Sequence, residues 1–174
     1  TVAPLPPREK TMKKLAILCL GALLMGCDYT VPLVVSPEVD VDPSIFGLWQ
    51  RPREHEAPET LVILPLHPKE YFVSFSSDNA KAMFARGALW RGQGGTLMQL
   101  DWFGTAEGSI PDDNRTFQYA TYALLDGKLH VRLLNTKVVS EDIATSDALA
   151  RAIAEKKDHP SLFRDEMVFT RVKN

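Results

Sequence analysis

The residues of this chain best suited to nucleophilic or metal chemistry are two cysteines, Cys19 and Cys27, and four histidines. A thiolate can attack an electrophile, bind a metal or form a disulfide, and a neutral imidazole can bind a metal or move a proton. No two histidines have the His-x-x-x-His spacing of a helical metal motif. A zinc site needs three or four convergent ligands, so we expect surface positions and no metal site for His55, His67, His130 and His159.

Other polar motifs also fall short of a catalytic pattern. No serine lies in a Gly-x-Ser-x-Gly elbow. The residues 112–114, Asp-Asp-Asn, begin like a calcium loop but lack the later glycine and glutamate. The glycine-rich residues 92–95 are not followed by the helix or lysine of a phosphate-binding loop, so we interpret them as a hairpin. We therefore expect no enzyme activity and no cofactor.

The segment around Cys27 has a different character. Lys13 and Lys14 precede an uncharged apolar run, and the run ends in Leu24-Met25-Gly26-Cys27, followed by Asp28. A membrane-spanning helix needs about 20 apolar residues, and this run is shorter. Its length is typical of the apolar part of a signal peptide, so we predict a separate signal helix within residues 12–26.

This segment resembles the signal peptide of a bacterial lipoprotein, and residues 24–27 resemble its lipobox. The resemblance implies cleavage before Cys27, a diacylglyceryl thioether on its sulfur and an acyl chain, commonly palmitate, on its amino group. Asp28 resembles the enterobacterial signal for retention at the inner membrane. The implied location is the cell envelope, membrane-anchored and facing the periplasm, with the inner membrane favoured over the outer. The alternative is an ordinary secretion signal or a buried apolar segment with a chance cysteine.

Residues 1–11 contain three prolines and precede Met12. We interpret them as upstream sequence or a disordered extension. Without residues 1–26, the 174-residue chain has 148 residues, with 16 basic and 21 acidic side chains and a net charge of −5. This is the size of one domain, and its acidity argues against nucleic acid as a partner. With Cys19 removed and Cys27 lipidated, no thiol would remain for a disulfide, a metal or catalysis.

The remaining chain divides into a linker and one domain. Residues 27–44 contain three prolines and no steady periodicity, which predicts a lipidated, extended tether. Alternatively, Val39, Val41 and Ile45 lie against the domain. Residues 45–174 are expected to form a single β-rich domain.

Apolar alternation and turn residues predict about eight antiparallel strands, arranged as a barrel or a two-sheet sandwich. The predicted strands are residues 45–51, 60–67, 71–76, 84–91, 96–103, 117–125, 129–135 and 166–172. Residues 53–59 are predicted to be a loop, and Pro65 suggests an edge or a bulge. Helical spacing competes with the strand prediction over residues 80–91. One helix is predicted over 148–157, before the last strand, with an N-cap among residues 145–147.

The first predicted strand contains Gly47-Leu48-Trp49. Lipocalins and other calycins carry a similar Gly-x-Trp on their first strand, and this chain resembles them there and in strand number. The resemblance implies that Trp49 closes one end of a barrel and that Arg171, near the last strand, packs across it. It also implies a cavity for a small apolar or amphipathic ligand, although such barrels can be filled by their own side chains.

Two functions remain from the sequence. The first is a binding module in which a lipid-anchored, lipocalin-like barrel holds a small apolar ligand. Its candidate lining residues are Phe72, Trp90, Met98, Trp102 and Tyr122. The second is a structural or assembly accessory that engages an envelope protein through the loop 53–59 or the tether. An open apolar interior would favour the first, and a filled interior with an exposed apolar patch would favour the second.

Overall fold

The computed structural model describes residues 28–77, 82–108 and 115–173, and most of these residues lie in β-strands. The upstream segment 1–11, the predicted signal helix and Cys27 lie outside the described residues. The strands are β1 (Gly47–Arg53), β2 (Glu56–His67), β3 (Glu70–Ser76), β4 (Met83–Gly92), β5 (Gly95–Thr105), β6 (Phe117–Leu125), β7 (Lys128–Leu134) and β8 (Phe163–Arg171). A short 3-10 helix, Pro43–Ile45, precedes β1, and the helix α1, Ser146–Glu155, precedes β8.

The eight strands form a closed antiparallel barrel in which each strand pairs with the next. The barrel closes where β8 returns to β1, with Trp49 opposite Arg171 and Gln50 opposite Thr170. The predicted mainly-β fold with one helix before the last strand is confirmed, and the barrel is the correct choice over the sandwich. Closure pairs both edge strands, which removes the unpaired edges of an open sheet.

Local sequence explains several of these elements. In β3, Tyr71, Val73 and Phe75 alternate with less buried residues and face the barrel interior. Asp126 and Gly127 both have positive φ angles, as the tight turn between β6 and β7 requires. The helix α1 begins after Thr145, whose side chain accepts a hydrogen bond from the Ala148 backbone N–H at 3.3 Å. These features follow the sequence predictions.

The predicted loop 53–59 is wrong in extent, because strand pairing continues through most of it. Arg53 pairs with Glu56, which leaves a two-residue turn. A shift in register between Arg51 and Arg53 accommodates the prolines on both strands. The Arg53 guanidinium also contacts the Glu56 carboxylate at 2.5 Å. The predicted irregularity at Pro65 is present as a register shift before His67, and residues 83–92 form a strand rather than a helix.

The barrel has two distinguishable ends. We define the lower end as the end that carries the start of β1 and the turns 67–70, 92–95 and 125–128. The upper end carries the β1–β2 turn, the start of β6, the end of β7 and the start of β8. The interior contains one apolar cluster, which includes Trp49, Tyr71 and Phe169.

A second apolar cluster lies on the outer surface of β5 and β6, where α1 packs. It includes Leu97, Tyr119, Leu149 and Ile153. The N-terminal segment covers the same surface, since Gln99 on β5 hydrogen-bonds the backbone of both Leu33 and Val34. The tether prediction is therefore corrected over residues 28–44, and its alternative holds, because Val39, Val41 and Ile45 pack with the interior cluster. The segment is extended, but Tyr29 is buried and the Leu33 and Val34 backbone is hydrogen-bonded to the barrel, whereas Val35 remains 84% exposed.

Candidate functional site: a cleft at the lower end of the barrel

The barrel interior is almost filled by its own side chains. Trp49 and Tyr71 are 0% exposed, and Trp102 is 2% exposed. The remaining apolar cavity has a volume of about 50 Å³. Its lining residues are Ile45, Leu61, Ile63, Val73, Met98, Leu100, Ala120, Tyr122, Leu129 and Val131. Ligand pockets usually measure roughly 300–1,000 Å³, so this cavity has room for one or two methyl groups rather than a whole ligand.

An open cleft of about 530 Å³ lies at the lower end of the barrel. It has polar groups at its rim and an apolar wall. Its lining residues are Asp40, Val41, Asp42, Leu89, Arg91, Thr96 and Tyr122. Tyr122 lines both this cleft and the interior cavity, so its ring lies at the boundary between them.

Residues 40–42 form one side of the cleft and are fixed to the barrel. The Val41 backbone N–H donates to the Pro68 carbonyl at 3.0 Å, in the turn between β2 and β3. The Asp42 backbone N–H donates to the Tyr71 hydroxyl at 2.5 Å. The Asp42 carboxylate accepts from the Ser44 backbone N–H at 2.9 Å and caps the 3-10 helix. The segment therefore forms a built wall of the cleft.

The Tyr122 hydroxyl donates to the Asp42 carboxylate at 3.3 Å across the cleft wall. A hydrogen bond from the Ser44 side chain is the main cause that lowers the pKa of Asp42, and the Ser44 backbone N–H and Tyr122 lower it further. Burial raises the pKa of Tyr122, and the nearby Tyr71 and Asp42 raise it further. At neutral pH the cleft therefore presents an ionised Asp42 beside a protonated Tyr122 phenol, next to the Arg91 guanidinium.

Trp49 and Arg171 lie together at the same end of the barrel. The guanidinium carbon of Arg171 is 4.3 Å from the centroid of the Trp49 ring. Arg171 also donates to the backbone carbonyls of Phe46, at 2.5 Å, and Ser44, at 2.6 Å. This is the placement that the calycin resemblance implies for the two residues, and it secures the 3-10 helix beneath the barrel.

The five predicted lining residues separate into three groups. Met98 and Tyr122 line the interior cavity. Trp102 is buried in the interior cluster but does not line the cavity. The prediction that Phe72 and Trp90 line the interior is wrong. Strand alternation places both side chains on the outside of the barrel. Phe72 stacks on Phe84, with ring centroids 6.1 Å apart, and Trp90 packs with the outer cluster beneath α1.

Sequence reasoning missed the polar rim of the cleft. Asp40 and Asp42 belong to the predicted tether, and Arg91 and Thr96 flank a hairpin that had no predicted role. One sequence signal was available: Asp42-Pro43 has the N-cap and first-turn proline of a helix start, which marks an ordered segment. Nothing in the sequence alone places that segment beside β4, β5 and β6.

Asp28, predicted as a sorting signal, lies at the upper end of the barrel. Its carboxylate contacts the Arg164 guanidinium at 3.2 Å, and its side chain is 13% exposed. Burial raises the pKa of Asp28, while Arg164 and a hydrogen bond from Gln118 partly oppose the increase. The predicted lipid-attachment residue, Cys27, immediately precedes this site but lies outside the described residues.

The histidines lie in separate places. His55 is in the β1–β2 turn, His67 ends β2, and His159 follows α1. His130 is 3.3 Å from the Glu166 carboxylate. Over the described ranges, no group of three or more His, Cys, Asp and Glu side chains could hold a metal ion. No helix in the described part of the chain is long and apolar enough to cross a membrane.

The fold and the cleft define an eight-stranded, closed antiparallel β-barrel with a filled interior and a polar-rimmed opening at one end. Comparisons with protein-family models, curated proteins and solved structures gave no match to this chain.

Proposed function

We propose that this chain is a lipid-anchored lipoprotein of the bacterial cell envelope, and that its calycin-like barrel binds a small amphipathic ligand without catalysing a reaction. The observation that carries the binding function is the position of Tyr122. Its ring separates a polar-rimmed cleft from an apolar cavity, so one ligand can place a polar group at the rim and a small apolar group toward Tyr122.

The chemistry of the rim restricts the ligand. Asp40 and Asp42 supply carboxylates, Arg91 supplies a guanidinium, and Thr96 supplies a hydroxyl. These groups suit a ligand with hydroxyl, amine or zwitterionic character. The interior volume supports only a small apolar end within the barrel, and it does not support a long acyl chain held wholly inside.

Attachment to a membrane rests on the lipobox-like residues 24–27. Two or three acyl chains hold a protein durably on a bilayer, so the barrel itself need not bind lipid. The proposed location is the periplasmic face of the envelope, with the inner membrane favoured by Asp28. Substituting Cys27→Ser should abolish labelling of the protein by radioactive palmitate, and labelling that survives this change would contradict the anchor.

Ligand binding is tested by native mass spectrometry of the full chain, released gently from envelope membranes. We expect a stoichiometric added mass that mild activation removes. Thr96→Trp should fill the cleft and eliminate that mass. Lys128→Trp, on an exposed residue at the same end of the barrel but outside the cleft, should retain it. An unliganded wild-type spectrum, or equal binding by both variants, would contradict the carrier function.

A second function has its own support in the structure. On the outer face of β1–β4, Leu48 pairs with Val62, and Leu64 pairs with Phe72. Phe72 in turn stacks on Phe84, and we call these five side chains the apolar stripe. Leu64 is 44% exposed, and exposed apolar surface often marks a protein-binding site. The accessory function would therefore use this stripe, because the loop 53–59 is a paired hairpin and the predicted tether is packed.

In-cell photo-crosslinking distinguishes the accessory function. A photoreactive amino acid at Leu64 should give a discrete protein adduct if the stripe engages an envelope partner. The control position is Leu125, which is 53% exposed at the lower end. The accessory function is contradicted if neither position gives an adduct. It is also contradicted if both positions give the adduct equally.

A further inference from the structure

The first described residue is fixed to the body of the barrel. The Asp28 backbone N–H donates to the Phe117 carbonyl at 3.0 Å, at the start of β6. Its carboxylate contacts Arg164, which lies at the start of β8. Its own carbonyl accepts from the Arg115 guanidinium at 3.1 Å. Contacts from two separate parts of the chain, the start of β6 and the start of β8, therefore hold this one residue.

The next residue is fixed still more firmly. Tyr29 is 0% exposed, and its hydroxyl donates to the Val139 carbonyl at 2.9 Å. Its ring packs edge-on against Tyr119, with centroids 5.2 Å apart. Removing Tyr29 from this site would expose a large apolar ring and leave polar groups of the outer cluster without a partner. From Asp28 onward, the described chain is therefore fixed to the barrel.

These contacts are at the upper end of the barrel, and the cleft is at the lower end. β6 begins at Phe117 beside Asp28 and runs down to Leu125, whereas Arg91 and Thr96 flank the lower turn 92–95. β6 is a tilted strand of nine residues from one end of the barrel to the other. At about 3.3 Å per residue, with the tilt usual in barrels, the two ends are roughly 20 Å apart along the barrel axis.

From this arrangement we propose that a lipidated Cys27 places the upper end of the barrel directly against the bilayer, with the cleft facing away from it. The inference rests on the proposed lipid anchor. Only one peptide unit, about 3.8 Å between Cα atoms, joins the lipidated residue to the fixed Asp28. A barrel attached this closely cannot turn its lower end toward the bilayer without breaking the contacts of Asp28 and Tyr29.

The surface of the upper end is compatible with this position. Phe103, two residues before the upper end of β5, is 55% exposed, and an aromatic ring suits the membrane interface. Charges of both signs lie at this end, where Glu141 pairs with Arg115 at 3.4 Å, so the acyl chains rather than charge attraction would hold the barrel there. The orientation has a functional consequence. The cleft would take its ligand from the aqueous phase or from a facing partner, and not from the bilayer that carries the anchor.

The test is energy transfer from the full-length lipidated protein to acceptor-labelled lipids in phosphatidylethanolamine–phosphatidylglycerol vesicles. A donor dye is attached at Glu107→Cys, at the upper end, or at Lys128→Cys, at the lower end. We expect the Glu107 dye to be closer to the acceptor plane by roughly 20 Å, the height of the barrel. Equal distances, or a closer Lys128 dye, would overturn the orientation.

A spacer variant provides the matched control. A flexible 20-residue Gly/Ser insertion between Cys27 and Asp28 keeps the anchor and the Asp28 contacts but adds a reach of about 25 Å. In this variant the two dye distances should converge. Unchanged distances would show that another surface holds the barrel and would overturn the proposal. Intact-mass measurement of the same samples separates the two ideas, because absence of the lipid mass would contradict the anchor itself.

Discussion

Asp28 and Arg164 are separated by 136 positions in the sequence, and their side chains are 3.2 Å apart at the upper end of the barrel. The pair joins the first described residue to the start of the last strand. The pair therefore lies in the same region in which the proposed lipid would be attached. A substitution at either residue should affect both the stability of the barrel and its position on a membrane.

The raised pKa of Asp28 gives a test of this site by pH. Folding opposes ionisation of a group with a raised pKa, so stability decreases as pH rises from the ordinary value of 3.8 through the folded-state pKa. In Asp28→Asn this part of the pH dependence should disappear. Urea unfolding between about pH 3.5 and 7 measures the effect. The control is Asp40→Asn, which changes an exposed carboxylate at the lower end. If Asp28→Asn kept the wild-type pH profile, the raised pKa of Asp28 would be contradicted.

The contact between Trp49 and Arg171 should stabilise the lower end of the barrel. Arg171→Ala removes a cation–π contact and two hydrogen bonds, and we expect a decrease of about 1–3 kcal/mol in the free energy of unfolding. Arg171→Lys should recover only part of the loss, because an ammonium cannot reach both carbonyls as a planar guanidinium does. Lys173→Ala is the control in urea titrations. Equal midpoints for Arg171→Ala and the control would show that the contact contributes nothing.

The interior cavity should accept one or two added methyl groups. Ala120 lines this cavity, so Ala120→Val should raise the free energy of unfolding by up to about 1 kcal/mol. Ala85 is 0% exposed and does not line the cavity, so Ala85→Val should lower it by about 1–3 kcal/mol through overpacking. Thermal and urea unfolding measure both variants. A loss of stability in Ala120→Val as large as in Ala85→Val would mean that the space is not available.

Close packing between the β4–β5 turn and α1 makes Gly94 sensitive to substitution. A Cβ atom at Gly94 would lie 2.6 Å from the Cγ2 atom of Ile153, whereas at Gly104 the nearest atom is 3.9 Å away. Gly94→Ala should therefore destabilise the protein by about 1–3 kcal/mol, and Gly104→Ala should have a much smaller effect. In the double variant with Ile153→Ala the cost should be less than additive. If the effects of the two substitutions were strictly additive, the result would contradict the contact between Gly94 and Ile153 of α1.

The strand positions and the helix were predictable because each depends on local sequence. Alternation in Tyr71, Val73 and Phe75, the Asp126-Gly127 turn and the cap at Thr145 each act within a few residues. The face of each strand that points into the barrel was harder to predict from the sequence. Phe72 and Trp90 are aromatic residues on strands with apolar side chains on both faces, so composition could not show which face pointed inward.

The amino-acid sequence by itself determined a mainly-β chain of eight strands, one helix before the last strand, and a lipobox-like segment whose role stays a prediction. Only the tertiary structure decided that the sheet closes, that side chains fill its interior, and that residues 28–44 pack on the barrel. These outcomes depend on contacts between distant residues, such as Asp28 with Arg164 and Tyr122 with Asp42. The volume left inside a barrel depends on how all the inward side chains pack together, and no local pattern specifies it.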